Sequence, residues 1–119
     1  MSNRALNVRS WVPMMYVTFY GMLKEVAMKY GYALAVHGSI TYDLDIIAVP
    51  WVEKPGDVIA MLHEFRKIIG EVEREDGLPY DSIGQKPHGR VAYTMGIGCG
   101  GYLDISVVPT ITSQESECK

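Results

Sequence analysis

Apolar residues recur along this chain with two different periods, and the periods divide it into helices and strands. Phe19, Leu23, Val26, Ala27 and Tyr30 fall at helical spacing. Ser10 is placed to cap that helix, and Pro13 is tolerated in its first turn, where the missing N–H had no partner to lose. Gly31 is the natural stop, because glycine takes the left-handed conformation that closes a helix. The spacing therefore predicts a first helix over residues 11–30. Short apolar runs at 33–37 and 42–49, separated by Gly38, Ser39, Ile40 and Thr41, predict two tightly joined strands. The proline-bearing stretch 50–56 ends the second strand, and Asp57 is placed to cap a second helix. Its buried stripe is Val58, Met61, Leu62, Phe65, Ile68, Ile69 and Val72.

The following stretch, residues 71–89, is polar and carries Gly77, Pro79, Gly84, Pro87 and Gly89. It predicts a long surface connection with no element of its own. Val91, Tyr93, Met95 and Ile97 then alternate, predicting a strand over 90–97 that Gly98, Cys99, Gly100 and Gly101 turn into a second strand over 102–108. The tail beyond Pro109 is polar and is expected to fray. The element order α-β-β-α-β-β predicts an α+β (mixed α/β) domain, with a mixed sheet and both helices on one face.

Composition narrows this picture. With 119 residues, 48% of them hydrophobic and 21% charged, the chain reads as one ordinary globular domain spanning 1–119, with the polar tail from about 110. Little chain is left for a separate substrate-recognition domain, so specificity has to come from loops, a homo-oligomer or a partner. A net charge of −3 and a pI near 5.5 argue against a wide footprint for duplex nucleic acid, while a nucleotide or a strand end remains compatible. Cys99 and Cys118 have no CxxC spacing, so neither a zinc site nor a disulfide framework is indicated. No signal-peptide pattern opens the chain and no apolar run is long enough to span a bilayer, which predicts a cytoplasmic protein without membrane contact.

Against that background three acids stand out. Side chains alternate across a strand, so Asp43 and Asp45 share one face, about 6–7 Å apart along the chain. The opposite face carries Tyr42, Leu44, Ile46 and Ala48, and the last strand repeats the arrangement, with Leu103, Ile105 and Val107 opposite Tyr102, Asp104 and Ser106. The acids are thus expected on the face away from the helices. Three carboxylates aimed at one region repel one another and lose solvation, and a bound cation removes both penalties. If the two strands run parallel, the acids fall at the same end, although the sequence does not fix the register. The plainer alternative is that each aspartate solvates an open sheet face or caps a turn.

The stretch HGSITYDLDIIAV, residues 37–49, resembles the Gly-Ser, then Asp-x-Asp signature of the polymerase-β-like nucleotidyltransferase superfamily, and YLDISV, residues 102–107, resembles its third-acid strand. The resemblance implies a nucleotidyltransferase-like fold in which Gly38 and Ser39 present backbone N–H groups to a nucleoside triphosphate. It also implies that Asp43 and Asp45 hold divalent metal, Mg²⁺ or Mn²⁺, and that Asp104 completes the metal site and helps activate the attacking hydroxyl. Backbone amides at a glycine turn and two metals about 3.5–4 Å apart suit an in-line phosphoryl displacement. Only Ile40, Thr41 and Tyr42 separate Ser39 from Asp43, where the family places a longer segment that often bears Arg or Lys. The chain is also similar to small phage or prophage proteins with the same compressed motif, a likeness that implies no activity.

Lys86, His88 and Arg90 in GQKPHGR are candidates to contact phosphate in place of the short turn, against a plain solvated loop. His37 is a candidate metal or phosphate contact, against a hydrogen-bonded strand end. Cys99 serves its turn more readily than it serves as a nucleophile, and His63 lacks the second histidine of a zinc motif. Met14, Met15 and Tyr16 suit a core or a dimer contact, and Trp51 suits packing or stacking on a base. Three functions stay open: a minimal nucleotidyltransferase with an unspecified acceptor, a catalytically silent binding or regulatory member of that fold, and a metal-dependent phosphohydrolase using the same acids.

Overall fold

The computed structural model describes residues 13–38, 40, 43–70, 74–98 and 100–110. The expected roles of Ser10, Ser39, Tyr42, Val72, Cys99 and the tail beyond 110 lie outside these residues. Helix α1 is Pro13–Lys29, and Gly31, at φ 84, closes it as expected. A side chain there is also excluded by space, since a Cβ would lie 2.5 Å from Val52 Cγ2. Strand β1, Tyr32–Val36, pairs antiparallel with β2, Asp43–Pro50. Helix α2, Val58–Ile68, starts at Asp57, whose carboxylate accepts from the Ile59 N–H at 3.3 Å.

The connection after α2 is not a plain loop. It contains a short strand β3, Ser82–Gln85, which corrects the expected order to α-β-β-α-β-β-β. All four residues of β3 are exposed and none alternates, so no hydrophobic period marks it; the ladder to its neighbour makes the strand. The chain leading into it is pinned from below. Buried Arg66 donates to the Pro79 carbonyl at 3.1 Å, and the Tyr80 and Tyr93 rings pack 5.1 Å apart. A 3₁₀ turn at Pro87–Gly89 leads into β4, Val91–Gly96, and a glycine turn leads on to β5, Tyr102–Val107.

The sheet is mixed, with order β1-β2-β5-β4-β3. Among the described residues only β2 and β5 run parallel, with Asp45 directly opposite Asp104. Leu44, Ile46 and Ala48 of β2 and Leu103, Ile105 and Val107 of β5 face the helices, in one core with Tyr16, Leu23, Met61, Leu62 and Phe65. Truncating Phe65, which is fully buried, would cost about 3–5 kcal/mol. The methionine stretch splits, with Tyr16 in the core and Met14 78% exposed. Among the described residues no helix is long and apolar enough to cross a membrane.

Candidate metal centre

Alternation along β2 buries Leu44 and Ile46 and thereby turns Asp43 and Asp45 to the other face of the sheet. The same alternation on β5 buries Leu103 and Ile105 and turns Asp104 out. Because β2 and β5 are adjacent, about 4.8 Å apart, the in-register pair Asp45 and Asp104 meets across one strand spacing. A carboxylate oxygen from each of Asp43, Asp45 and Asp104 lies within 4.8 Å of the other two, and all three residues are half-buried. Three aspartates placed this way can hold a metal ion.

The electrostatics follow from that placement. Burial, more than any other cause, pushes the Asp104 carboxyl up to about 6; the Thr94 hydroxyl, donating to Asp104 Oδ1 at 2.9 Å, works in the other direction. A hydrogen bond with Asp45 and the charges of Asp45 and Asp43 raise it further. Thr94 was not foreseen. It stands opposite Asp104 in the β4–β5 ladder, and the glycine turn between those strands was the signal that pairs the two positions.

The β1 end abuts the same cluster. The His37 N–H donates to the Asp45 carbonyl at 2.8 Å, extending the β1–β2 ladder by one residue. At Gly38 a Cβ would sit 2.6 Å from Asp45 Oδ2, so only glycine lets the backbone lie against that carboxylate. His37, Asp45, Asp104, Thr94 and Ser82 thus form one row across the open face. One row nearer the start of β5, the Gly96 N–H donates to Asp81 Oδ2 at 2.6 Å. Asp81 is in turn bonded to Arg74, which also holds Asp76 at 2.9 Å and keeps that carboxyl down at about 2.

Lys86 and Arg90 are not brought to the aspartates. Val91 pairs with Val107, so Arg90 lies about four residues, roughly 13 Å, along the sheet from Asp104. The Lys86 N–H bonds the Arg90 carbonyl, and Arg90 Nε donates to the Pro87 carbonyl at 3.3 Å. Between them His88 sits in the left-handed region at φ 67. Trp51 is 57% exposed beyond the end of β2, on a cleft of about 360 Å³ with Met28, Lys29 and Lys54, at the opposite end of β2 from the acids. His63 is half-buried on α2 and has a partner. Comparison with protein-family models, with curated proteins and with solved structures found no match to this chain.

Proposed function

We propose that this chain is a minimal nucleotidyltransferase-like protein that holds divalent Mg²⁺ or Mn²⁺ on Asp43, Asp45 and Asp104 and, in the cytoplasm, transfers a nucleotidyl group from a nucleoside triphosphate to an acceptor hydroxyl, the new bond to the α-phosphorus forming as the α–β phosphoanhydride bond breaks and pyrophosphate leaves. The observation that carries it is the parallel, in-register pairing of Asp45 with Asp104, with Asp43 on the same face and all three carboxylates within 4.8 Å. The donor set fits a hard cation, since it is all carboxylate oxygen, and the Asp104 carboxyl, raised first by burial and further by Asp45 and Asp43, has its charged form favoured by a cation. A divalent cation there supplies charge to phosphate oxygens and acidifies a bound hydroxyl.

The chain's own residues contribute the rest. Asp104, held at one oxygen by the Thr94 hydroxyl, would accept the proton of the attacking hydroxyl. Gly38 lets the backbone after β1 lie against the Asp45 carboxylate, where a Cβ would come within 2.6 Å of Oδ2, and so leaves that carboxylate undisturbed. Calorimetry with Mn²⁺ and Mg²⁺, alone and with a nucleoside triphosphate, tests the reading. It is abandoned if the wild-type chain binds neither metal nor nucleotide and Asp43→Asn changes nothing.

A second reading has its own support: Lys86 and Arg90 stand away from the acids, and Arg74 is engaged by Asp76 and Asp81. A catalytically silent member that binds metal and nucleotide without turnover would have this distribution of cations. Conversion of a labelled nucleoside triphosphate, lost in Asp45→Ala, counts against it.

A further inference from the structure

We infer that His37 is the fourth ligand of the aspartate site and that it tunes the site toward first-row transition cations such as Mn²⁺ and away from Mg²⁺. This rests on the metal-binding reading above and adds to it the identity of a ligand and the class of cation.

The β1–β2 ladder carries the argument. Its register pairs Val36 with Ile46 and Ala35 with Ile47, and the bond from the His37 N–H to the Asp45 carbonyl continues it, so His37 stands directly opposite Asp45. Directly opposed residues of an antiparallel pair project to the same face, with Cβ atoms about 4.5–5.5 Å apart. His37 is therefore on the acid face, on the side of Asp45 away from Asp104. Asp45 stands between the two strands: one of its carboxylate oxygens lies within 4.8 Å of one from Asp104, and its Oδ2 is 2.6 Å from where a Cβ of Gly38 would sit. Without metal the three carboxylates alone lie within 4.8 Å of one another. His37 is exposed, and rotation about its side-chain bonds would carry the ring onto an ion that Asp45 holds. Mn²⁺, though weakest in the first-row order, takes an imidazole nitrogen beside carboxylates more readily than Mg²⁺, whose sites are built from oxygen, and Zn²⁺ takes it more readily still.

The test uses the whole chain and the metals alone. Calorimetry compares Mn²⁺ with Mg²⁺ for the wild type, His37→Gln and His37→Ala, and pulsed electron paramagnetic resonance of the Mn²⁺-loaded wild type reads coupling to ¹⁴N. The expected result is a ¹⁴N coupling that both variants abolish. Mn²⁺ affinity should fall by at least the roughly tenfold lost when even an outer partner of a metal ligand is removed, with Mg²⁺ affinity unchanged within about twofold. Circular dichroism checks that the exposed substitutions leave the fold intact. No ¹⁴N coupling in a wild type that binds Mn²⁺, or an equal loss for the two metals, overturns the role of His37 while leaving the aspartate site standing. A wild type that binds neither metal removes both.

Discussion

Asp45 and Lys86 are both candidate site residues from the sequence, yet the fold treats the two ends of its sheet in opposite ways. Asp45 sits inside a ladder, with β1 on one side and β5 on the other, and its neighbours His37, Asp104 and Thr94 are assigned by strand register. Lys86, His88 and Arg90 stand on a turn between an edge strand and its partner, exposed or half-exposed, with Arg90 Nε donating to the nearby Pro87 carbonyl. A group placed by register inherits the cooperativity of many backbone hydrogen bonds, whereas a group on a turn has its side chain in water. The acid end is therefore preorganised and electrostatically strained, and the basic end is neither.

The most direct way to break the comparison is at Gly38. Replacing it by valine puts a side chain where Asp45 Oδ2 now lies, and the strand or the carboxylate must shift. The expected loss is about 1–3 kcal/mol in urea denaturation, as for other overpacked sites, with a fall in Mn²⁺ affinity by calorimetry.

Asp104 tests the strain. Its carboxyl is raised in the folded chain to about 6, so the native state holds the proton more tightly than the unfolded state does. That contribution to stability is fully present below the unfolded value near 3.8 and is lost as pH rises through about 6. Asp104→Asn should accordingly be more stable than the metal-free wild type above pH 6 by about 1 kcal/mol, a figure discounted for solvent screening of a half-exposed group. The advantage should vanish near pH 4. Metal affinity of the wild type should rise with pH through the same window, because the ligand must be ionised.

Thr94→Val sharpens the picture at smaller scale. The Thr94 bond lowers the Asp104 carboxyl, so its removal should move that titration upward, read by carboxyl ¹³C NMR, at a cost of about 1 kcal/mol or less. Lys86→Ala and Arg90→Ala should leave Mn²⁺ affinity unchanged, because neither residue is near the aspartates; a large loss would show that the two ends act together.

How much of this was visible in the sequence depended on whether a feature is local. The alternation of Leu44 and Ile46 with Asp43 and Asp45, and of Leu103 and Ile105 with Asp104, shows which face each acid takes, and Asp57 marks the start of α2. The pairing of β2 with β5 is non-local: both strands carry the pattern, but no residue states the register. Strand β3 escaped for a different reason. Ser82, Ile83, Gly84 and Gln85 bury nothing, so they carry no period, and only β4 makes them a strand. Lys86 and Arg90 stand out in the sequence by charge, and charge alone says nothing about which end of a strand a turn will occupy.

The parallel pairing of β2 and β5 has a further consequence, for the order in which the molecule assembles. Asp45 and Asp104 are 59 residues apart (104 − 45), and the loop of chain between them must close for them to meet. Closing so long a loop is entropically late, so the hairpin of β4 and β5 and the helix α2 are expected to form ahead of it. The unfolded chain has no assembled triad, and a cation that binds only the native state raises stability in proportion to the logarithm of its concentration. Metal binding to this protein would then report that its last long-range contact has closed, making the ion a probe of completed folding as well as a reagent.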